Sequence, residues 1–220
     1  MEKYINIIEK SYDLSLISHF IPVIVAIFRW KYFNFLLKVA AINFLKVLII
    51  SLLGFYSSHI NDNHRYLYYL SPCLDIILVS LISVAIFDFK KELNWGLALI
   101  CTIFIVVVTN DYFTTKGQIS SYLSTAETGF VIIISILMLR KVALTYKSSV
   151  YKRSVIWILS ALLISNLFAI LIQTLMEKML AYSTDFMQLY WYLSSPLFII
   201  ITNLMVAYGF YIIRNKVKEA

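Results

Sequence analysis

Two ionisable side chains of opposite sign stand deep inside apolar runs of this chain, and their types and spacing are the most suggestive of chemistry. Lys46 lies about seven positions into one run and Asp75 about eight into the next, so at about 1.5 Å per helical residue both approach mid-layer from opposite faces. A lone charge in hydrocarbon costs at least about 2.5 to 3.5 kcal/mol, and the remedy is a partner or local hydration. A lysine stem reaches across the remaining gap, which makes the two residues natural partners. Asn43 shares a face with Lys46 at i, i+3 and Ser71 shares one with Asp75 at i, i+4, giving each charge local polar support. The pair either registers two helices as a neutral unit or forms a ligand or proton site.

Other polar groups fall in or beside the same kind of run. Glu127 begins the apolar part of the fifth run, where a carboxylate either complements a helix N-terminus or faces a cavity. His19 stands three residues before Pro22 and is read either as an interhelical hydrogen-bonding group or as part of that cavity. Asn166 and Gln173 share a face at i, i+7, as packing polar groups or as ligands, and Ser195, Thr202 and Gly209 form a small-residue seam suited to close packing. Pro22, Pro72 and Pro196 lie at one depth, and each removes a backbone donor and frees a carbonyl. The sharpest expectation combines these groups in an outward-opening polar cavity lined by His19, Asp75, Glu127 and Asn166, with the three prolines shaping its rim. Lys46 joins the candidate site through Asp75.

The elements that must position these residues are seven apolar spans at about 11–28, 39–56, 67–87, 93–109, 122–139, 154–176 and 189–213. Each is near the roughly 20 residues a helix needs to cross a hydrocarbon core of about 30 Å. Aromatic and basic anchors mark their ends, as in Arg29-Trp30-Lys31-Tyr32 and Tyr190-Trp191-Tyr192. The expected fold is therefore all-α, a single polytopic bundle over 1–220. The composition, 61% hydrophobic and 14% charged with mean hydropathy +0.82, excludes an ordinary soluble domain. Lipid bilayer is the expected environment, and a bacterial inner membrane the expected location.

Alternate hydrophilic segments differ sharply in basic residues. One set holds thirteen, in Arg29, Lys31, Lys38, Lys90, Lys91, Arg140, Lys141, Lys147, Lys152, Arg153, Arg214, Lys216 and Lys218, whereas the other holds Lys3, Lys10, Arg65, Lys116 and Lys178. The positive-inside rule places the first set in the cytoplasm, with the N-terminus outside and the C-terminus inside. This topology accounts for the net charge of +7 and gives no reason to expect a specific nucleic acid. The basic loop 140–153 and the C-terminal tail are the expected docking surface for a cytoplasmic protein partner. The acidic first residues Glu2, Glu9 and Asp13 do not suit a cleavable signal peptide.

Catalytic signatures are absent from the sequence. There is no HExxH, no GxSxG and no Walker-type loop, and the seventh span has no lysine to carry retinal. Cys73 and Cys101 fall inside spans and read as small hydrophobes. The segment Ser58 to His64 offers two imidazoles and a carboxylate without a defined ligand spacing, and reads as a solvated turn. No enzyme activity, metal or cofactor is expected.

The stretches IPVIVAIFRWKYFNFLLK, NHRYLYYLSPCLDIILVSL, SYLSTAETGFVIIISILML, SNLFAIL and NLMVAYGFYIIRNK resemble the small uncharacterised seven-helix integral membrane proteins abundant in Bacteroidetes genomes. The resemblance implies an acidic residue in the third helix, supplied by Asp75, another at the start of the fifth, supplied by Glu127, and an Asn-Leu-Phe step in the sixth, at Asn166-Leu167-Phe168. Ser165 stands where that family often has glycine, and its usual acid late in the second helix is missing near Gly54. The polar intramembrane patch, short loops, absent catalytic motif and basic face suit an integral membrane sensory or accessory module coupled to a cytoplasmic partner, and the resemblance is compatible with a role in signalling or defence. The alternative is a transporter or channel for a small solute, ion or proton.

Overall fold

A computed structural model describes the backbone of residues 2–59, 65–87, 91–114, 121–145, 150–182 and 185–213, and the side chains of 7–57, 69–87, 95–114, 125–145, 150–171 and 193–213. The chain forms helices α1 (Glu2–Ser18), α2 (Phe20–Arg29), α3 (Phe35–His59), α4 (Arg65–Phe87), α5 (Lys91–Thr114), α6 (Ser121–Thr145), α7 (Val150–Tyr182) and α8 (Asp185–Tyr211). No strand occurs among the described residues. Seven stretches are long and apolar enough to cross a membrane, so the protein is an integral membrane helical bundle. They are Ile7–Tyr32, Phe35–Ser57, Tyr69–Phe87, Trp95–Thr114, Thr125–Thr145, Val150–Leu171 and Leu193–Tyr211. These follow the expected order, within the described residues.

The first span is kinked, and its sequence explains where. Pro22 has no N–H, and its ring crowds the carbonyl of the residue four positions earlier, Ser18. The helix breaks there: α1 ends at Ser18 and α2 starts at Phe20. His19 keeps right-handed torsions (φ −65°, ψ −23°), and its N–H donates to the Leu16 carbonyl at 3.2 Å, one residue short of the usual α-helical partner. A single turn of 3-10 helix, Trp30–Tyr32, then leads to extended Phe33 and to Asn34. The Asn34 side-chain oxygen accepts from the Leu37 N–H at 3.1 Å, capping α3, while its amide donates to the Tyr151 hydroxyl at 2.8 Å. One residue thus starts α3 and ties it to α7.

Six spans close a ring. In order around it, α1 and α2 pack on α3, α3 on α4, α4 on α6, α6 on α7, α7 on α8, and α8 returns to α1 and α2. Helix α5 packs on α4 from outside, and 6% of its apolar window is buried against 28% to 44% for the other six spans. Outward-facing side chains such as Ile27, Phe28, Val106 and Ile133 are apolar, which is compatible with contact with lipid.

At one end the ring is filled solid. Phe33, Leu37 and Ala40 meet Ile82 and Ile86, Met138 and Val142, Val155 and Leu159, and Val206 and Phe210 in one buried apolar cluster. Phe210 stacks at a tilt on Phe33, with centroids 5.1 Å apart, and stands edge-on to Phe44 at 6.3 Å. The basic residues of the larger set that have described side chains gather at this same end. Arg29 lies over the Tyr211 ring at 5.3 Å, Lys38 over Trp30 at 5.7 Å, and the Lys152 ammonium donates to the Ala143 carbonyl at 2.8 Å. Lys147 and the tail beyond Ile213 lie outside the described residues.

The orientation has a direct test. With Cys73 and Cys101 replaced, Lys116→Cys should react with an impermeant maleimide added outside intact cells, and Lys147→Cys should react after permeabilisation alone. The reverse pattern would rule out a cytoplasmic basic end.

Candidate functional site

The ring encloses a cavity of about 300 Å³, immediately beyond the apolar plug. Its wall draws on every ring span: His19 from the first, Asn43, Phe44 and Val47 from α3, Asp75 and Val79 from α4, Glu127 and Val131 from α6, Ala161, Leu162, Ser165 and Asn166 from α7, and Ile199, Thr202 and Asn203 from α8. Phe44, Val79, Val131, Ala161 and Leu162 also belong to the plug and make its floor. Helix α5 contributes no lining residue among those described.

The expected ion pair is present. Lys46 Nζ lies 2.6 Å from Asp75 Oδ2, with side chains 8% and 23% exposed, so the pair is largely removed from solvent. The Ser71 hydroxyl donates to the same carboxylate oxygen at 3.2 Å, and Lys46 Nζ also donates to Ser71 Oγ at 3.4 Å. Support from Asn43 is not realised: that amide makes no hydrogen bond among the described residues. Lys46 is not a lining residue. It stands behind Asp75 and holds it in place.

Glu127 lies within electrostatic range of both Asp75 and Lys46, yet no hydrogen bond reaches it among the described residues. Because α6 starts at Ser121, Glu127 is well past the first turn, and the helix-terminus explanation does not apply. His19 is 8% exposed, and its Nδ1 lies 2.9 Å from the Ser15 carbonyl, which accepts only if that nitrogen carries the proton. Among the described residues no hydrogen bond reaches Nε2.

The α8 wall is tied to the kink. Asn203 Nδ2 donates to Ser18 Oγ at 2.8 Å, and that hydroxyl donates to the Ser15 carbonyl at 2.6 Å. Thr202 Oγ1 lies 3.0 Å from the carbonyls of Phe198 and Ile199, and Asn166 Nδ2 donates to Leu162 O at 2.8 Å.

Four residues expected to share a cavity, His19, Asp75, Glu127 and Asn166, thus do so. The prolines do not line it. Each acts one turn away: His19 precedes Pro22 by three positions, and Asp75 and Ile199 follow Pro72 and Pro196 by three. Sequence reading passed over Asn203, treated Thr202 as a packing residue and saw Asn43 merely as support for Lys46. The adjacent polar pair Thr202-Asn203 in mid-span was the available signal. The side chains of Gln173 and of 58–64 lie outside the described residues, and among those described no group of three metal-ligating side chains gathers. Both cysteines are free and half-buried.

No protein-family model, curated protein or solved structure matches the chain. What fold and site define together is a class: an integral membrane helical bundle with a polar cavity enclosed by six of its spans.

Proposed function

We propose that the protein is a membrane-embedded ligand-binding module, sensory or accessory in role, that reports occupancy of its cavity to a cytoplasmic partner at the basic end. The observation carrying this reading is that six separate spans each commit a residue to one polar cavity whose floor is a buried apolar cluster. Maintaining that many polar groups in the low-dielectric interior is costly unless a ligand or water uses them. A binding site that touches every ring helix can bias how all of them pack, which is what transmission to a distant surface requires. A bacterial inner membrane with the basic end inside suits this role. The partner surface is then the end that holds Arg140, Lys141, Lys152 and Arg153, together with the tail.

A carrier for a small solute is the second reading, and the kink at His19 favours it. A flexed joint that abuts the cavity can serve as a hinge for alternating exposure.

One experiment separates the two. Filling the cavity with Ser165→Trp should change maleimide reactivity of a reporter at Arg140→Cys, at the opposite end of the bundle, while proteoliposomes of the unfilled protein show no solute flux above empty vesicles. Flux that Ser165→Trp abolishes would transfer the assignment to a carrier. Reporter reactivity unchanged by filling, with no flux, would remove both.

A further inference from the structure

We infer that the cavity takes a small monovalent organic cation, a primary ammonium group on a short aliphatic body. This rests on the reading of the cavity as a ligand site and adds the ligand's chemical class.

The first argument is the inventory of donors and acceptors. Three lining groups have already spent a donor on the protein: His19 Nδ1–H on Ser15, Asn166 Nδ2 on Leu162 and Asn203 Nδ2 on Ser18. What those groups retain is acceptor capacity at His19 Nε2 and the two amide oxygens, beside one remaining N–H on each amide. Glu127, when ionised, only accepts. A ligand rich in N–H donors matches such a wall.

The second argument is charge. Lys46 is committed to Asp75 at 2.6 Å, which leaves Glu127 as the carboxylate of the cavity without a cation at bonding distance among the described residues. With Glu127 ionised the three groups sum to one negative charge, so a cation completes the site. An anion would meet two carboxylates, and a neutral solute would require Glu127 to take up a proton instead.

An independent observation points to a missing ligand group. Asn43 is 2% exposed, lines the cavity, and its carbonyl oxygen is buried with no hydrogen-bond partner among the described residues. Buried amides without partners are rare in folded proteins. Rotation of this amide can bring its oxygen to a donor in the cavity without disturbing another bond.

Size and lining decide between an ammonium and a bare metal ion. Metal ions are gripped by several oxygens at about 2 to 2.6 Å, whereas a cavity of about 300 Å³ walled partly by Phe44, Val47, Val79 and Ile199 also leaves room for an alkyl body.

The test uses the full-length protein in nanodiscs, with n-butylammonium chloride as probe and 1-butanol, sodium butanoate and sodium chloride as comparators at equal ionic strength. n-Butylammonium should raise the melting temperature in a saturable way and bind at least tenfold more tightly than 1-butanol. Glu127→Gln should weaken it tenfold or more, and Glu9→Gln, an exposed residue away from the cavity, should leave it unchanged. A second readout does not depend on how Glu127→Gln folds: with Cys73 and Cys101 replaced, n-butylammonium should slow maleimide labelling of Ser165→Cys. Equal protection by 1-butanol or sodium chloride, or undiminished binding to Glu127→Gln, overturns the assignment. If butanoate or butanol protects and n-butylammonium does not, the ligand class is wrong while a ligand cavity stands. If none of the probes protects and Asn43→Leu stabilises the fold, the cavity reading itself falls as well.

Discussion

Lys46→Met should destabilise the bundle by about 3 to 5 kcal/mol, the range for breaking a buried ion pair from one side, and Asp75→Asn should cost less. The inequality follows from Glu127. Removing Asp75 leaves Lys46 within electrostatic range of a second carboxylate, so the ammonium keeps a counter-charge. Removing Lys46 leaves Asp75 and Glu127 in each other's field, with Ser71 as the remaining hydrogen-bond donor to Asp75 among the described residues. Two like charges that share a low-dielectric site repel strongly, and one must take up a proton. The double replacement Lys46→Met with Asp75→Asn should be milder than the sum of the singles, with a coupling of about 1 to 3 kcal/mol. Adding Glu127→Gln to Lys46→Met should recover part of the loss. Denaturant titrations of the purified protein would give these differences. Equal costs for the two single variants would show that Glu127 is not coupled to the pair, and additive effects would show that the pair itself contributes nothing.

Lys46, Asp75 and Glu127 also mark how much could be read without coordinates. Span number and order were legible because a bilayer demands about 20 apolar residues per crossing, and that demand is one-dimensional. The pair was legible for a similar reason: two opposite charges at matching depth on consecutive helices have few other places to go. Which helices close the ring was not legible, since α5 is as apolar as its neighbours and nothing local marks it as peripheral. A break near Pro22 was legible, and it falls at His19 because proline disturbs the carbonyl four residues earlier. Asn43 and Asn203 were undervalued because depth along a helix can be counted, while rotation about its axis toward a common centre depends on partners far away in sequence. Asn203 meets Ser18 across 185 positions, a contact that no local pattern announces.

The joint between α7 and α8 gives the second large effect. An added Cβ at Gly209 would stand 2.9 Å from Ile158 Cγ1, 3.1 Å from the Ser154 carbonyl oxygen and 3.4 Å from Trp157 Cβ. One of these is backbone and another is bound close to its own backbone, so neither yields as the tip of a long side chain would. The Ser154 hydroxyl donates to the Gly209 carbonyl at 2.7 Å, which holds the two helices at this separation. Gly209→Ala should therefore cost about 1 to 3 kcal/mol by overpacking, despite alanine's better helix propensity, and Gly209→Leu should cost more. The consequence reaches the site. Thr202 precedes Gly209 by seven residues and Ala161 follows Ser154 by seven, so the faces that touch at this crossing continue, two turns on, as cavity wall. Spreading the crossing should widen the cavity, and Ser165→Cys should then label faster in the Gly209→Ala background, while Ser154→Ala, which removes the hydrogen bond and adds no bulk, should lose about 1 kcal/mol and leave that rate nearly unchanged. A neutral Gly209→Ala would mean that the helices part without cost, and the crossing would then set neither the stability of the bundle nor the width of its cavity.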